Sequence, residues 1–108
     1  YKVVGEEVTM MVNGNRVRAD LVAKDGHGNF HVFEVKHGSG GLTPNQTGAG
    51  VYNMKSPSNT LGGVGGGTIK SGQGTSGKFK VATGNKQKTA AIGKRGTERD
   101  ATFHVLKY

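Results

Sequence analysis

The chain has 108 residues, a formal net charge of +8, 20 glycines and no cysteine. This length suits one domain and is too short for two separate hydrophobic cores. Because cysteine is absent, a disulfide scaffold, a cysteine zinc site and a thiol nucleophile are excluded. No apolar run approaches the roughly 20 residues of a membrane-spanning helix. The start at Tyr1, without an initiator Met or a leader pattern, predicts a fragment or processed part of a longer protein.

Charge is distributed unevenly between the two halves of the chain. Residues 1–54 carry five basic and five acidic side chains, whereas residues 55–108 carry ten basic and two acidic ones. The whole excess of positive charge therefore lies in the second half. A basic surface of this kind attracts acidic partners, with nucleic acid as the first candidate.

Three strands and a short helix are predicted in the first half. The strand-like segments, rich in β-branched and alternating apolar residues, are 7–12, 16–24 and 30–36. Turn signals separate them at Asn13-Gly14-Asn15 and at Gly26-His27-Gly28. The sequence Thr43-Pro44-Asn45-Gln46 has the form of a capping box with proline at the first helical position, which predicts a helix from Pro44 towards Met54.

The second half is predicted to begin with a glycine-rich loop and to end in strands. Residues 38–77 contain 13 glycines, and strand-like sequence returns at 78–82 and 101–107. The prediction is a single α+β domain, a mixed and mostly antiparallel sheet of about five strands with a short helix packed on it. Its parts are a hairpin and helix over 7–54, a loop over 55–77 and basic strands over 78–108.

The hairpin of the second and third strands collects charged residues on one face. With a three-residue loop, paired positions sum to 54, so Asp20 lies opposite Glu34 and Arg18 opposite Lys36. Opposed carboxylates repel each other, and Mg²⁺ relieves this repulsion by taking one or two carboxylates and completing its shell with water and phosphate oxygens. Alternation places Val17, Ala19 and Leu21 together on the other, apolar face. The alternative is an ordinary solvated face on which the basic residues neutralise the acids.

These motifs together resemble a known enzyme superfamily. Arg18-Ala19-Asp20, Phe33-Glu34-Val35-Lys36 and Leu42-Thr43-Pro44-Asn45-Gln46 are similar to the PD-(D/E)XK, restriction-endonuclease-like, pattern. More narrowly, they resemble the nuclease domains of bacterial polymorphic and contact-dependent growth inhibition toxins. The resemblance covers roughly residues 5–50 and implies a restriction-endonuclease-like fold.

The resemblance also implies roles for individual residues. Asp20 and Glu34 would be metal ligands together with the carbonyl of Val35, and Lys36 would be the catalytic lysine. Gln46 would face the site, although it is equally explained as the residue that closes the capping box. The superfamily usually has a further acid on an N-terminal helix. No helix precedes the first strand here, so the expectation is that this acid either lies upstream of Tyr1 or is replaced by Glu6 or Glu7.

The function implied is a metal-dependent endonuclease that uses Mg²⁺, or Mn²⁺ or Zn²⁺, to hydrolyse phosphodiester bonds. DNA is the favoured substrate and tRNA the alternative. Such a toxin domain would be secreted or delivered from a cell surface as the C-terminal part of a larger protein, and would act in the target-cell cytoplasm. The producing cell would need a cognate immunity protein, for which an acidic surface would suit the +8 charge.

Basic side chains are the predicted contacts to nucleic acid. They are Arg18, Lys86, Lys88, Lys94 and Arg95, with a solvated surface as the alternative for the last four. Two other functions remain open at this point. One is a metal-independent ribonuclease using His37 or His104 with a lysine, and the other is a non-catalytic basic module that binds nucleic acid. None of the four histidines has metal-ligand spacing.

Overall fold

A computed structural model describes residues 2–36, 41–52, 59–60, 74–82 and 92–107. These residues form six strands and one short helix. In chain order they are β1 (Lys2–Val12), β2 (Asn15–Lys24), β3 (Phe30–Lys36), α1 (Pro44–Ala49), β4 (Asn59–Thr60), β5 (Thr75–Val81) and β6 (Glu98–Lys107).

The sheet closes on itself as a five-stranded barrel. The strand order is β3-β2-β1-β5-β6, and β3 pairs in addition with β6. This closing pair is parallel and runs from Phe30 opposite Ala101 to Lys36 opposite Lys107. The two-residue strand β4 pairs in parallel with the end of β6. The barrel pairs the edges that an open five-stranded sheet would leave unpaired.

The expectation of an α+β, restriction-endonuclease-like domain with an open sheet is therefore wrong. The described residues form a closed β-barrel whose helix α1 contributes only six residues. The cause is the pairing of β3 with β6, two strands that are far apart in the sequence. Alternation within a strand shows which side chains face the core, but it does not show which distant strand lies beside it.

Both predicted turns of the first half are present. Asn13 and Gly14 both have positive φ, 50° and 80°, which gives the two-residue turn between β1 and β2. The β2–β3 register runs from Leu21 opposite Phe33 to Lys24 opposite Phe30, so these paired positions sum to 54 as predicted. The ladder ends there, and the predicted pairs Asp20–Glu34 and Arg18–Lys36 lie beyond it. Gly28 has φ of 84° and ends a three-residue loop, because the backbone N–H of Asp25 donates to the carbonyl of Asn29 at 3.0 Å.

The main core lies inside the barrel, and a smaller cluster lies on the other face of β3. The smaller cluster contains Ala23, Phe33 and Leu106, with Leu21 and Val35 packed against it. Val17, Ala19 and Val22 all belong to the main core. The prediction that Leu21 shares a face with Val17 and Ala19 is therefore wrong. Alternation along β2 breaks between Ala19 and Val22, the stretch that contains Asp20.

Helix α1 is shorter than predicted, because it ends at Ala49 rather than near Met54. Gly50 follows it with φ of 72°, and its N–H donates to the carbonyl of Thr47, which is a left-handed C-cap. β4 falls within 55–77, the segment predicted as a glycine-rich loop, and residues 61–73 of that segment lie outside the described residues. In the described part of the chain, no helix is long and apolar enough to span a membrane.

Candidate active-site cleft

A cleft of about 540 Å³ lies between the β2–β3 hairpin and the first turn of α1. Its walls carry both acidic and basic side chains. All the residues that line the cleft, charged and uncharged, are Arg16, Val17, Arg18, Asp20, Glu34, Lys36, Thr43, Pro44, Asn45 and Gln46. The structure thus brings together four residues predicted for the site, Asp20, Glu34, Lys36 and Gln46, from three separate elements.

The two carboxylates of the cleft have different environments. Asp20 Oδ2 accepts a 2.7 Å hydrogen bond from the backbone N–H of Val35, so this carboxylate is fixed to the neighbouring strand. Glu34 is only 5% exposed, and its Oε2 atom is buried without a hydrogen-bond partner among the described residues. Burial, and then the charge of Asp20, raise the pKa of Glu34, while Gln46 and Lys36 oppose this rise. An unpaired buried carboxylate oxygen is costly, and either a proton or a bound cation would reduce this cost.

Lys36 is held between the acid and the helix. Its Nζ lies 3.4 Å from Glu34 Oε1 and donates a 3.0 Å hydrogen bond to Gln46 Oε1. Both Lys36 and Glu34 have largely buried side chains, with relative exposures of 13% and 7%. The ammonium group therefore has a fixed position beside the carboxylate, instead of moving freely in solvent as a surface lysine does.

Gln46 closes the helix cap and holds Lys36 at the same time. Its side-chain oxygen accepts the backbone N–H of Thr43 at 2.9 Å, and its own backbone N–H donates to Thr43 Oγ1 at 3.2 Å. This is the reciprocal capping box that the sequence predicts. The same Oε1 atom accepts from Lys36, so the cap and the site are two functions of one buried amide.

The donor set of the cleft fits a hard cation. Two carboxylates suit Mg²⁺ or Mn²⁺, which bind through one or two acids and complete their shells with water or phosphate. The unpartnered Oε2 of Glu34 is the atom that such an ion would satisfy. Among the described residues, no three His, Cys, Asp or Glu side chains gather at one point. Glu7, the candidate third acid, is exposed on β1 with φ of 50° and does not line the cleft, and Glu6 beside it is exposed as well.

The predicted basic contacts divide into three groups. Arg18 is exposed on β2 and lines the cleft. Lys94 and Arg95 are exposed in the turn that precedes β6, away from the cleft lining. Lys86 and Lys88 lie outside the described residues.

Two residues near the cleft, Arg16 and Tyr52, escaped the sequence-based prediction. Arg16 lies two positions before Arg18 on β2, and this spacing could have indicated that both arginines face the same side. The backbone carbonyl of Arg16 accepts a 2.9 Å hydrogen bond from Asn45 Nδ2. Tyr52, buried after α1, has a hydroxyl group without a hydrogen-bond partner in the described chain. Burial, and then the charges of Glu34 and Asp20, raise the pKa of Tyr52. Its ring packs edge-on against Phe103, with centroids 5.9 Å apart, and no sequence motif marks it.

A second polar cluster lies away from the cleft and links the hairpin turn, β3 and β6. Asp25 Oδ2 lies 2.9 Å from His31 Nε2, and His31 Nδ1 lies 2.9 Å from His104 Nε2. The His104 ring is fully buried and stacks on Phe33 at 4.7 Å. A fully buried ring does not reach a polymeric substrate, so His104 does not suit the role of ribonuclease base. His37, the other candidate, lies outside the described residues.

No protein-family model, curated protein or solved structure matches this chain. No relative therefore supplies a function. The chemistry of the cleft is the remaining guide to what the protein does.

Proposed function

We propose that this chain is the nuclease domain of a bacterial toxin, and that it hydrolyses phosphodiester bonds with a divalent cation. One observation carries the proposal: a buried, unpartnered oxygen of Glu34 lies beside a second carboxylate and a fixed ammonium group, in a cleft open to solvent. This combination binds a hard cation and stabilises the negative charge of a phosphate in its transition state. The proposal depends on these side chains and not on an overall fold.

The acidic residues and the lysine of the cleft have different proposed roles. Asp20 and Glu34 would hold the cation, which when bound would polarise the phosphate and lower the pKa of a bound water. Lys36, fixed by Gln46 Oε1, stabilises the charge that builds up on the phosphate oxygens. The water oxygen forms a bond to phosphorus, the bond from phosphorus to the leaving oxygen breaks, and the water proton passes to that oxygen.

DNA is the proposed substrate, and tRNA is the alternative. The net charge of +8 suits either polymer and also suits an acidic immunity protein in the producing cell. A non-catalytic basic module is less well supported, because two carboxylates weaken phosphate binding and have no use in a site that only binds phosphate. A metal-independent ribonuclease based on His104 is disfavoured by the burial of that ring.

A cleavage assay with two matched lysine variants tests the proposal. Plasmid DNA and total tRNA are incubated with wild type, Lys36→Gln or Lys24→Gln, each with Mg²⁺ and with a chelator. Lys24 is the control because it is an exposed lysine at the far end of the same hairpin. We expect cleavage by wild type and Lys24→Gln with Mg²⁺ only, and none by Lys36→Gln. Cleavage that survives the chelator, or full activity of Lys36→Gln, contradicts the proposal.

A further inference from the structure

Two arginines form a short basic row on the exposed side of β2. Arg16 and Arg18 are both exposed and alternate with the buried Val17, so they project from the same side of the strand. Residues two apart on a strand are separated by roughly 6.6 Å along it. Their partners on β1, Met11 and Thr9, are uncharged. The row therefore presents two guanidinium groups side by side without an acidic neighbour across the strand pair.

Arg16 and Arg18 have no acidic partner in the described part of the chain, unlike Lys36 and Lys78. In the described part of the chain, Lys36 pairs with Glu34 at 3.4 Å and Lys78 lies 3.9 Å from Asp100. Neither Arg16 nor Arg18 forms an ion pair with a described residue. Two adjacent like charges repel each other, and an anionic ligand that binds both relieves this repulsion. The guanidinium group is suited to a phosphate because its planar N–H donors bind two phosphate oxygens at once.

The row continues directly into the cleft. Arg16 and Arg18 both line it, and the bond from Asn45 to the Arg16 carbonyl joins their strand to α1. The cleft lining holds three cationic and two acidic side chains, so it carries a net positive charge even before a cation binds. A phosphate chain that crosses the two arginines therefore leads towards Asp20, Glu34 and Lys36.

We propose that Arg16 and Arg18 bind successive phosphates of the nucleic-acid strand that enters the cleft. The inference deepens the proposed function, on which it rests, by assigning the binding of the substrate backbone to the neutral half of the chain. The bases are not read at this row, so binding there is independent of sequence.

Salt-dependent binding in the presence of a chelator tests the inference without cleavage. Labelled single-stranded and duplex DNA and tRNA are titrated with wild type, with Arg16→Gln/Arg18→Gln, and with Lys2→Gln/Lys24→Gln. The last double variant is the control, because it also removes two positive charges from the β1–β2 strand pair. Lys2 and Lys24 are exposed and face each other at the end of this pair that is far from Arg16 and Arg18. Arg16→Lys/Arg18→Lys keeps the charge, and a melting curve checks that each variant is folded.

We expect only the double arginine-to-glutamine variant to lose much affinity. Its slope of log K against log salt should fall by about 1.8 for duplex DNA or about 1.4 for a single strand, corresponding to two lost phosphate contacts. The lysine replacement should keep most of the slope. Equal slopes for the two glutamine pairs overturn the inference and leave the proposed function intact. Failure of wild type both to bind and to cleave overturns both.

Discussion

Lys36 on β3 and Gln46 on α1 are joined by a 3.0 Å hydrogen bond from the ammonium group to the amide oxygen. The same oxygen accepts the backbone N–H of Thr43, the N-cap residue of α1. The position of Lys36 therefore depends on a helix of only six residues. Because an isolated helix of this length is not stable in water, the cap and the contact with β3 support each other.

Replacement of Gln46 by Ala should reduce both stability and turnover. The variant loses one side of the capping box, which costs about 1 kcal/mol, and it also leaves Lys36 without its acceptor. Thr43→Ala is the matched control, because it breaks the cap but leaves the Gln46 amide in place. Urea unfolding and cleavage at saturating DNA measure the two effects.

We expect the two variants to lose similar stability but unequal turnover. Thr43→Ala should keep most of its activity in conditions where it is folded, whereas Gln46→Ala should lose activity at least tenfold, equivalent to about 1.4 kcal/mol of transition-state stabilisation. Equal turnover in the two variants would show that Gln46 acts only as a capping residue and does not position Lys36 for catalysis.

Local features of the first half were predictable from the sequence. Asn13-Gly14 and Gly28 supply the positive φ values of the two turns, and the turn length then fixes the hairpin register. The capping box likewise depends on residues only three positions apart. Such contacts are determined by neighbouring residues, so the predictions of the turns and the cap are confirmed even though the predicted fold class is wrong.

Contacts between distant segments were not predictable in the same way. The pairing of β3 with β6 closes the barrel, and the His31–His104 bond joins the same two strands. Glu7 is a candidate only as a replacement for the acid that the superfamily has on an N-terminal helix, but its side chain is exposed on β1 and does not line the cleft. Tyr52 lies close enough for Glu34 to raise its pKa, yet Tyr52 itself belongs to no sequence motif that would indicate this proximity.

Glu34→Gln should stabilise the metal-free protein as pH rises. A carboxyl group whose pKa is higher in the folded state binds more protons there, so wild-type stability falls as pH rises above the unfolded value of about 4.3. Gln does not titrate, so the difference in unfolding free energy between variant and wild type should grow in favour of the variant as pH rises above the unfolded pKa of Glu, about 4.3. The exposed Glu98→Gln is the control, and urea unfolding at several pH values in chelator is the measurement. Parallel curves for wild type and Glu34→Gln would contradict the prediction.

Magnesium should raise the melting temperature of wild type. A ligand that binds only the folded state at 100 times its Kd stabilises the protein by about 2.7 kcal/mol, and each kcal/mol raises the melting temperature of a domain of this size by about 4–8 °C. The rise should be small in Glu34→Gln and in Asp20→Asn, because each variant lacks one carboxylate. A rise that persists in both variants would locate the cation elsewhere.

Tyr52→Phe should cost little stability. The hydroxyl group is buried without a partner in the described chain, so removing it relieves a desolvation cost, while the phenyl ring keeps its edge contact with Phe103. We expect a change within about 0.5 kcal/mol in urea unfolding. Phe103→Leu is the comparison, because it removes the ring that Tyr52 packs against and should cost more. A loss of more than about 1 kcal/mol in Tyr52→Phe would indicate a hydrogen bond from the hydroxyl group.

The buried histidine pair should make the protein acid-sensitive. Burial, and then the charge of His31, lower the pKa of His104 to about 4. A base whose pKa is lower in the folded state binds fewer protons there, so stability is lost as pH falls from the unfolded value of about 6.5 towards about 4. Hydrogen bonds from His31 and the backbone hold the pKa of Asp25 well below the usual range, so the stability that Asp25 contributes is lost only below its unfolded pKa of about 3.9, outside this window. The loss should approach about 1.4 kcal/mol per pH unit in this window.

His104→Phe should remove most of this acid sensitivity. The phenyl ring can keep the stacking on Phe33 but does not titrate, and the buried bond to His31 Nδ1 is lost, so the variant should be less stable than wild type at pH 7 by about 1–3 kcal/mol. The two stability curves should then converge as pH falls towards about 4, because only in wild type does unfolding expose a histidine that takes up a proton in this pH range. His27→Gln changes an exposed histidine of the same hairpin turn and should follow wild type throughout. Unfolding free energies measured between pH 4 and 7.5 check this, and a His104→Phe curve as steep as that of wild type would show that the acid sensitivity arises in other groups.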